Sequence, residues 1–525
     1  MEDKNNIFTV KNKIINCISI FSILILISNC SVNPSTGKNE FTIMSKEEED
    51  KIGKKEHPKI IKSFGGIYKN EQLQNYVESL GEFLVNTSEL PNKKFTFTIL
   101  DTPLVNAFAL PGGYIYLTRG LIYLCQNEAQ LAGVIAHEIG HITARHTAKR
   151  YTKNFGVGLL ANILGTISKN MVVGDLINTS ASLYLLSFSR SQEYEADRLA
   201  VRYMARAGFD PKEMGEFLRL MEKFSRFKRK VIKDFGESSE LLKTHPNSSK
   251  RVKEVIKKSS ERVPFNPIIG SEVFLKKIDG MIYGDKPEEG FFYKNNFIHK
   301  KLDFSFGFDN SYYFLNNPNY LLGLTDKETK IIFDIDKTTA ENNLEYLSKW
   351  MKIPERKIIN FNSFLSNNLR ITSGIIKRKK NILKVGAISD ENFIYRFVLI
   401  TNKNEFDTFS ESFKRILNSF KKVSTNKQLS DLSPPKIRIL RNSQNNNFLT
   451  SIREKISLQK KYSIEIFKII NDYENKPEEK GKIKSIYWLS SSSSLTFAAF
   501  LSKFCTAAYS LLNLLSAVKY ICRSE

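Results

Sequence analysis

Leu131-Ala-Gly-Val-Ile-Ala-His137-Glu138-Ile-Gly-His141-Ile-Thr-Ala-Arg-His146 decides how the first half of this 525-residue chain is read. Leu131, Val134, Ile135, Ile139 and Ile142 recur at helical spacing, and Asn127 with Gln130 offers a capping box in front of them. The pattern predicts one helix. On it His137 and His141 stand four residues apart and project from one face, as two ligands of a single metal ion must. Glu138 lies about 100° round the helix, placed to touch a water on the metal rather than the metal itself. Three of the chain's six histidines fall in this stretch, so the pairing is not a by-product of a His-rich composition.

Catalytic zinc takes three protein ligands and keeps a fourth position for water. One solution places a third histidine ten residues after the first, but that position is Thr147. His146 is about 140° from His141 round a continuing helix and is set aside as a ligand on that ground. The other solution, the gluzincin one, draws a carboxylate from a later helix. Ser189-Arg-Ser-Gln-Glu193-Tyr-Glu195-Ala-Asp197 supplies two acids four residues apart on one face. Glu193 is then the candidate metal ligand and Asp197 the acid that orients a ligand imidazole. Upstream, Pro111-Gly112-Gly113 followed by Tyr114 to Thr118 predicts a short strand entering the active-site region. Such a strand can hold an extended substrate by main-chain hydrogen bonds; an ordinary core hairpin fits the pattern equally.

Four stretches, NAFALPGG at 106–113, HEIGH at 137–141 with ARH after it, SRSQEYEAD at 189–197 and Thr244-His245-Pro246, occur in an order that resembles the HtpX/BepA-type zinc metallopeptidases, peptidase family M48. The resemblance runs over roughly residues 35 to 260. It implies an α+β fold: a mainly helical gluzincin-type domain with a short sheet, followed by a separate α+β domain. It further implies zinc held by His137, His141 and Glu193, with Glu138 as catalytic base and Asp197 behind the ligands. His245 matches a loop histidine that fills the open zinc position in some relatives and holds the enzyme closed. Arg251 stands at the family's Arg position, and it or His245 is a candidate oxyanion aid. The implied activity is zinc-dependent endopeptidase action on polypeptides, namely unfolded or misassembled cell-envelope proteins. The competing class is a latent zinc domain serving as an envelope chaperone or an assembly or cell-wall-binding factor.

Lys4, Lys11 and Lys13 precede an apolar run from Ile14 to Ile27 that suits a secretory leader better than a membrane span. The run ends in Ile27-Ser-Asn-Cys30, which resembles a bacterial lipobox, with Asn29 where a small residue is usual. The expectation is a lipoprotein-like signal peptide over 1–30 with lipidation at Cys30, and a polar linker over 31–45. The chain would then sit in the periplasm on the outer membrane, or on the inner membrane if the leader stays as an anchor. Five cysteines without paired spacings exclude a disulfide framework, and Cys125 is expected in the core. A net charge of +24, spread as lysine along the chain, comes with no nucleic-acid-binding motif, so nucleic acid is not an expected partner.

The zinc domain is expected over 46–262. Within it His57, before Pro58, reads as a surface residue, and 151–188, apolar but interrupted by Lys153, Lys169 and Asp175, as a soluble lid. A separate domain is expected over 270–425, with strands at 304–308, 330–335, 383–388 and 393–401 and helices at 338–351 and 405–420. His299 there has no predicted metal role. Residues 430–475 resemble a degenerate LysM segment, the type that contacts peptidoglycan, lacking its Gly-Asp-Thr turn near 442–447. The apolar tail over 485–525 is assigned no role.

Overall fold

The computed structural model describes residues 30–152, 187–231, 245, 249–317, 319–338, 343–441, 458–473 and 482–487. The segment up to Asn29 expected as a leader, most of 151–188 expected as a lid, the stretch around 442–447 and the tail beyond Tyr487 lie outside the described residues. The chain divides into two compact units, Met1–Asp279 with Lys468–Pro477, and Gly280–Phe467 with Glu478–Glu525. Among the described residues no helix is long and apolar enough to cross a membrane.

In the first unit, β1 (Cys30–Val32) and β2 (Asn39–Phe41) form a hairpin ahead of α1 (Lys46–Ser63) and α2 (Glu71–Asn86). Ser45 starts α1 with a complete capping box to Glu48, and Asn70 caps α2. The segment expected as a free linker is tied down instead. The Ile43 N–H donates to Thr152 Oγ1 at 3.0 Å, and Arg145 donates to the Met44 carbonyl at 2.7 Å and to Glu49 at 2.9 Å. Its polar composition signalled exposure, but these polar groups find partners on the folded unit. On α2, Leu73, Val77, Leu80 and Leu84 are buried, whereas Phe83 is 48% exposed.

The sheet that follows contains β3 (Thr96–Leu100), β4 (Ala107–Leu110) and β5 (Tyr114–Thr118) in the order β3-β5-β4. Gly112 and Gly113, at φ +85° and +96°, make the left-handed turn that lets β5 fold back antiparallel on β4. β3 pairs parallel with β5 on its other side. The strand singled out in the sequence, Tyr114–Thr118, is therefore the central one, and within this sheet β4 is an edge. His57 is not a surface residue either. It is partly buried, with Nδ1 2.7 Å from the Tyr116 hydroxyl.

Among the described residues, a short helix over Arg119–Leu124 is followed by α3 (Glu128–Thr143), α4 (Arg190–Arg206), α5 (Lys212–Val231), α6 (Ser249–Ser260) and α7 (Ser271–Ile278). Every position of α3 from Ala129 to Thr143 is buried, so it runs through the core rather than along the surface. Asn127 caps it, accepting from the Gln130 N–H at 2.8 Å, but Gln130 Oε1 accepts from Gln126 rather than from Asn127, leaving the expected box half closed. Cys125, just ahead, is a buried free thiol. The returning segment meets this same end, where Gln126 Nε2 donates to the Ile470 carbonyl at 3.0 Å, and Lys223 on α5 pairs with Asp472 at 2.8 Å.

The second unit is sheet-rich. A three-stranded antiparallel sheet joins β6 (Phe291–Tyr293), β7 (Asn296–His299) and β8 (Phe304–Gly307). A seven-stranded antiparallel sheet runs β12-β13-β14-β15-β11-β10-β9, where β9 is Tyr313–Asn317, β10 Tyr320–Leu324, β11 Lys330–Asp336, β12 Ile359–Ser366, β13 Leu369–Lys377, β14 Ile382–Ser389 and β15 Ile394–Thr401. Helix α8 (Asn343–Met351) lies between β11 and β12 in sequence, and α9 (Phe406–Ser419) follows β15. Phe409, Phe413, Ile416 and Leu417 of α9 share one core with Phe304, Phe306, Phe333, Tyr395 and Phe397. The four predicted strands are present near their expected bounds, and β6, β7, β9, β10, β12 and β13 are additional. His299 accepts from the Leu302 N–H at 3.2 Å, a loop-closing role. Within 430–475, expected as a LysM-like segment, lie β16 (Lys436–Arg441) and α10 (Ser463–Ile470), and β16 pairs antiparallel with β17 (Lys482–Tyr487) beyond it.

Candidate metal site

His137 and His141 lie one turn apart on α3, with their Nε2 atoms 3.0 Å apart. Helix α4 brings Glu193 to them, with Oε2 3.5 Å from His137 Nε2 and Oε1 3.5 Å from His141 Nε2. His245, between α5 and α6 in sequence, places Nδ1 3.3 Å from His137 Nε2 and 3.0 Å from Glu193 Oε1. The four donor atoms fall within 4.8 Å of one another, and all four residues are buried. Ligands at zinc–nitrogen distances of 2.0–2.1 Å in a tetrahedron are about 3.3 Å apart, close to these spacings. Charge agrees. With neutral imidazoles, buried Glu138, Glu193 and Asp197 against buried Arg251 leave two net negative charges, the complement of a divalent cation. The residues present fit a metal ion.

The approach of α4 depends on a glycine. A Cβ on Gly140 would lie 3.2 Å from the Ala196 carbonyl oxygen and from Leu199 Cβ, so the α3–α4 contact is already near its limit. Ala196 is itself small and fully buried, and Glu193 sits three residues before it. The short side chains in HEIGH and EYEAD thus set the separation across which Glu193 reaches the histidines.

Around the four donors stands a ring of groups that hold them. Asp197 Oδ1 is 3.0 Å from His137 Nδ1. Arg251 grips Asp197 with two donors at 2.6 and 2.8 Å and Glu193 with a third nitrogen at 2.7 Å. Its guanidinium is therefore spent on two carboxylates, and the oxyanion role considered for it has no support in this geometry. Glu138 is buried, with Oε1 3.6 Å from His245 Nε2. Burial pushes the Glu138 carboxyl up. For Glu193 burial acts the same way, but His245 and Arg251 outweigh it and hold the group well below the carboxylate range. Burial disfavours charge on His137 too, yet hydrogen bonds to Asp197 and Glu193 raise it to about 9.

His146 is not among the four donors, but the reason differs from the helical-angle argument. Helix α3 ends at Thr143, and Arg145 adopts φ +54°, so the chain turns and brings His146 back. Its Nδ1 lies 2.8 Å from His141 Nδ1, and its Nε2 3.2 Å from Glu195 Oε2. Phe188 stacks on His141 with ring centroids 4.0 Å apart. Neither contact was legible beforehand. The signal available was a left-handed break hidden in Ala-Arg-His, and Arg is not a residue that advertises one. Cys30 pairs with Phe41 in the N-terminal hairpin.

Residues 71–259 match the family model described as Peptidase family M48. The beta-barrel assembly-enhancing protease of Yersinia pestis is 31% identical over 226 residues, 41% of this chain and 45% of its own. The mitochondrial metalloendopeptidase OMA1 of Arabidopsis thaliana is 36% identical over 168 residues, 32% of each chain. The match thus spans less than half the length of these relatives. Among solved structures, cyanobacterial PsbP (CyanoP) from Synechocystis sp. PCC 6803 aligns at 12% identity and TM-score 0.21, covering 26% of this chain and 98% of its own, too slight a likeness to bear on fold or function.

Proposed function

We propose that the chain is a zinc-dependent endopeptidase of gluzincin type, a reading supported by the match of residues 71–259 to the model described as Peptidase family M48. The observation that carries this reading is the convergence of His137, His141, Glu193 and His245 beside a buried Glu138. His137, His141 and Glu193 are the lasting metal ligands. Zinc bound there supplies a Lewis acid that polarises a peptide carbonyl and makes a water easier to deprotonate.

Glu138 takes the proton of the attacking water and later passes it to the leaving amine. Its burial suits this exchange, since desolvation pushes the carboxyl up and strengthens it as a base. Asp197 fixes the tautomer of His137 by accepting from Nδ1, which keeps Nε2 free to bind metal. Arg251 locks Asp197 and Glu193 in place. His245 sets the state of the site. Its Nδ1 lies beside the other three donors, where it would take the fourth position of a bound metal and keep water from it until His245 withdraws. The closed form is accordingly an off state of a peptidase.

The substrates are polypeptides, taken to be unfolded or misassembled envelope proteins in the periplasm. The relatives described as beta-barrel assembly-enhancing proteases support this placement. Attachment to a membrane through Cys30 and contact with peptidoglycan through 430–475 belong to the same proposal. Casein digestion by the zinc-loaded chain, with and without a chelator, tests the activity: chelator-sensitive cleavage is expected, and bound zinc without any cleavage would turn the reading towards a latent zinc domain.

A further inference from the structure

His141 is 1% exposed and His146 not exposed at all, so each of their ring nitrogens needs a partner inside the protein. The metal reading leaves one choice of tautomer. If His141 presents Nε2 to the metal, its proton sits on Nδ1 and must be donated. The atom 2.8 Å away is His146 Nδ1, which then accepts and carries its own proton on Nε2. That proton points to Glu195 Oε2 at 3.2 Å. Every donor in the series therefore runs outward from the metal to a carboxylate, with no nitrogen left facing another proton. A carboxylate oxygen can only accept, so Glu195 ends the series.

The main chain is arranged for the same contact. The left-handed Arg145 turns His146 back on His141, and Gln192, in the first turn of α4, donates to the His146 carbonyl at 3.2 Å. Helix α4 thus holds His146 at its backbone through Gln192 and at its ring through Glu195, while the same helix supplies the metal ligand Glu193. Asp197 plays the matching part for His137.

We propose that His146 and Glu195 are positioning residues for the metal, acting through His141: they fix its tautomer and ring angle and raise its basicity. The proposal rests on the zinc reading above. Its test is the zinc dissociation constant of the full chain, measured by competition with a chromophoric chelator, together with the visible spectrum of the cobalt(II)-substituted protein. His146→Leu fills the volume but removes the acceptor, and is expected to weaken zinc binding about 10–100-fold and alter the cobalt spectrum. His146→Asn, whose side-chain oxygen can stand near the place of Nδ1, is expected to restore most of the affinity. Glu195→Gln is expected to fall between them. Circular dichroism and the melting midpoint of the chelator-treated variants separate metal loss from unfolding. Tight zinc binding by wild type with undiminished affinity and an unchanged cobalt spectrum in His146→Leu overturns the positioning role alone. A wild-type chain that takes up no zinc overturns both this role and the peptidase reading. Failure of His146→Asn to bind better than His146→Leu also counts against the hydrogen bond as the cause.

Discussion

At the scale of single residues, the groups spaced along two helices were readable from spacing, whereas His245 and Arg251 entered only through the family resemblance. His137 and His141 follow from an i, i+4 spacing, and Glu193 with Asp197 from the same rule on a second helix. The rule failed at His146, because it assumes that the helix continues, whereas α3 ends at Thr143. It also had nothing to say about Arg251, more than fifty residues beyond Glu193, whose three contacts place it against two carboxylates. Removing that cation leaves buried like charges without compensation, so Arg251→Leu is expected to lower stability by roughly 3–5 kcal/mol. Chemical denaturation of the chelator-treated protein reads this, and a change of under about 1 kcal/mol would mean the clamp holds little. His245→Ala is expected to raise hydrolysis in proportion to the closed population it releases, about tenfold if nine-tenths of the wild-type molecules are closed. Initial rates on casein at saturating zinc decide it, and an equal or lower rate removes the gate.

At the scale of elements, the packing of α4 on α3 sets the geometry that the residues exploit. Gly140 leaves no room for a side chain against Ala196 and Leu199. Gly140→Val is expected to force α4 outward, cost roughly 1–3 kcal/mol, and weaken zinc binding by moving Glu193 away. Unaltered zinc affinity in that variant would show that Glu193 does not depend on the close approach. Strand order was a different matter. The β4–β5 hairpin was legible from Pro111-Gly112-Gly113, but which of its strands is central depends on where β3 adds, and that is decided by residues outside the hairpin. Likewise β12 carries exposed residues on both faces, so it lacks the alternation by which strands such as β15 were found. The N-terminal segment misled for a related reason. Asn33 and Thr42 are polar yet buried, hydrogen-bonded within their own segment to Ser35, Glu40 and Met44, and composition cannot distinguish that from solvation.

For the whole molecule, composition excluded a disulfide scaffold and gave no support to a nucleic-acid partner, and the change of pattern after residue 260 marked a second unit. The boundary itself was less clear in sequence, because Lys468–Pro477 returns to the first unit from far along the chain. A chain cut after Asp279 loses the hydrogen bond from Gln126 to Ile470 and the Lys223–Asp472 pair. Together these are worth about 1–3 kcal/mol, so the fragment is expected to melt several degrees below the first transition of the full chain. A fragment that melts at the same temperature would show the returning segment to be dispensable. The central claim is that one buried constellation both holds zinc and uses Glu138 to move a proton. Its most direct test is casein hydrolysis by zinc-loaded Glu138→Gln, with zinc content measured on the same sample. One zinc per chain with hydrolysis reduced at least about 10²-fold is expected; zinc-loaded Glu138→Gln cleaving casein at the wild-type rate would contradict the account.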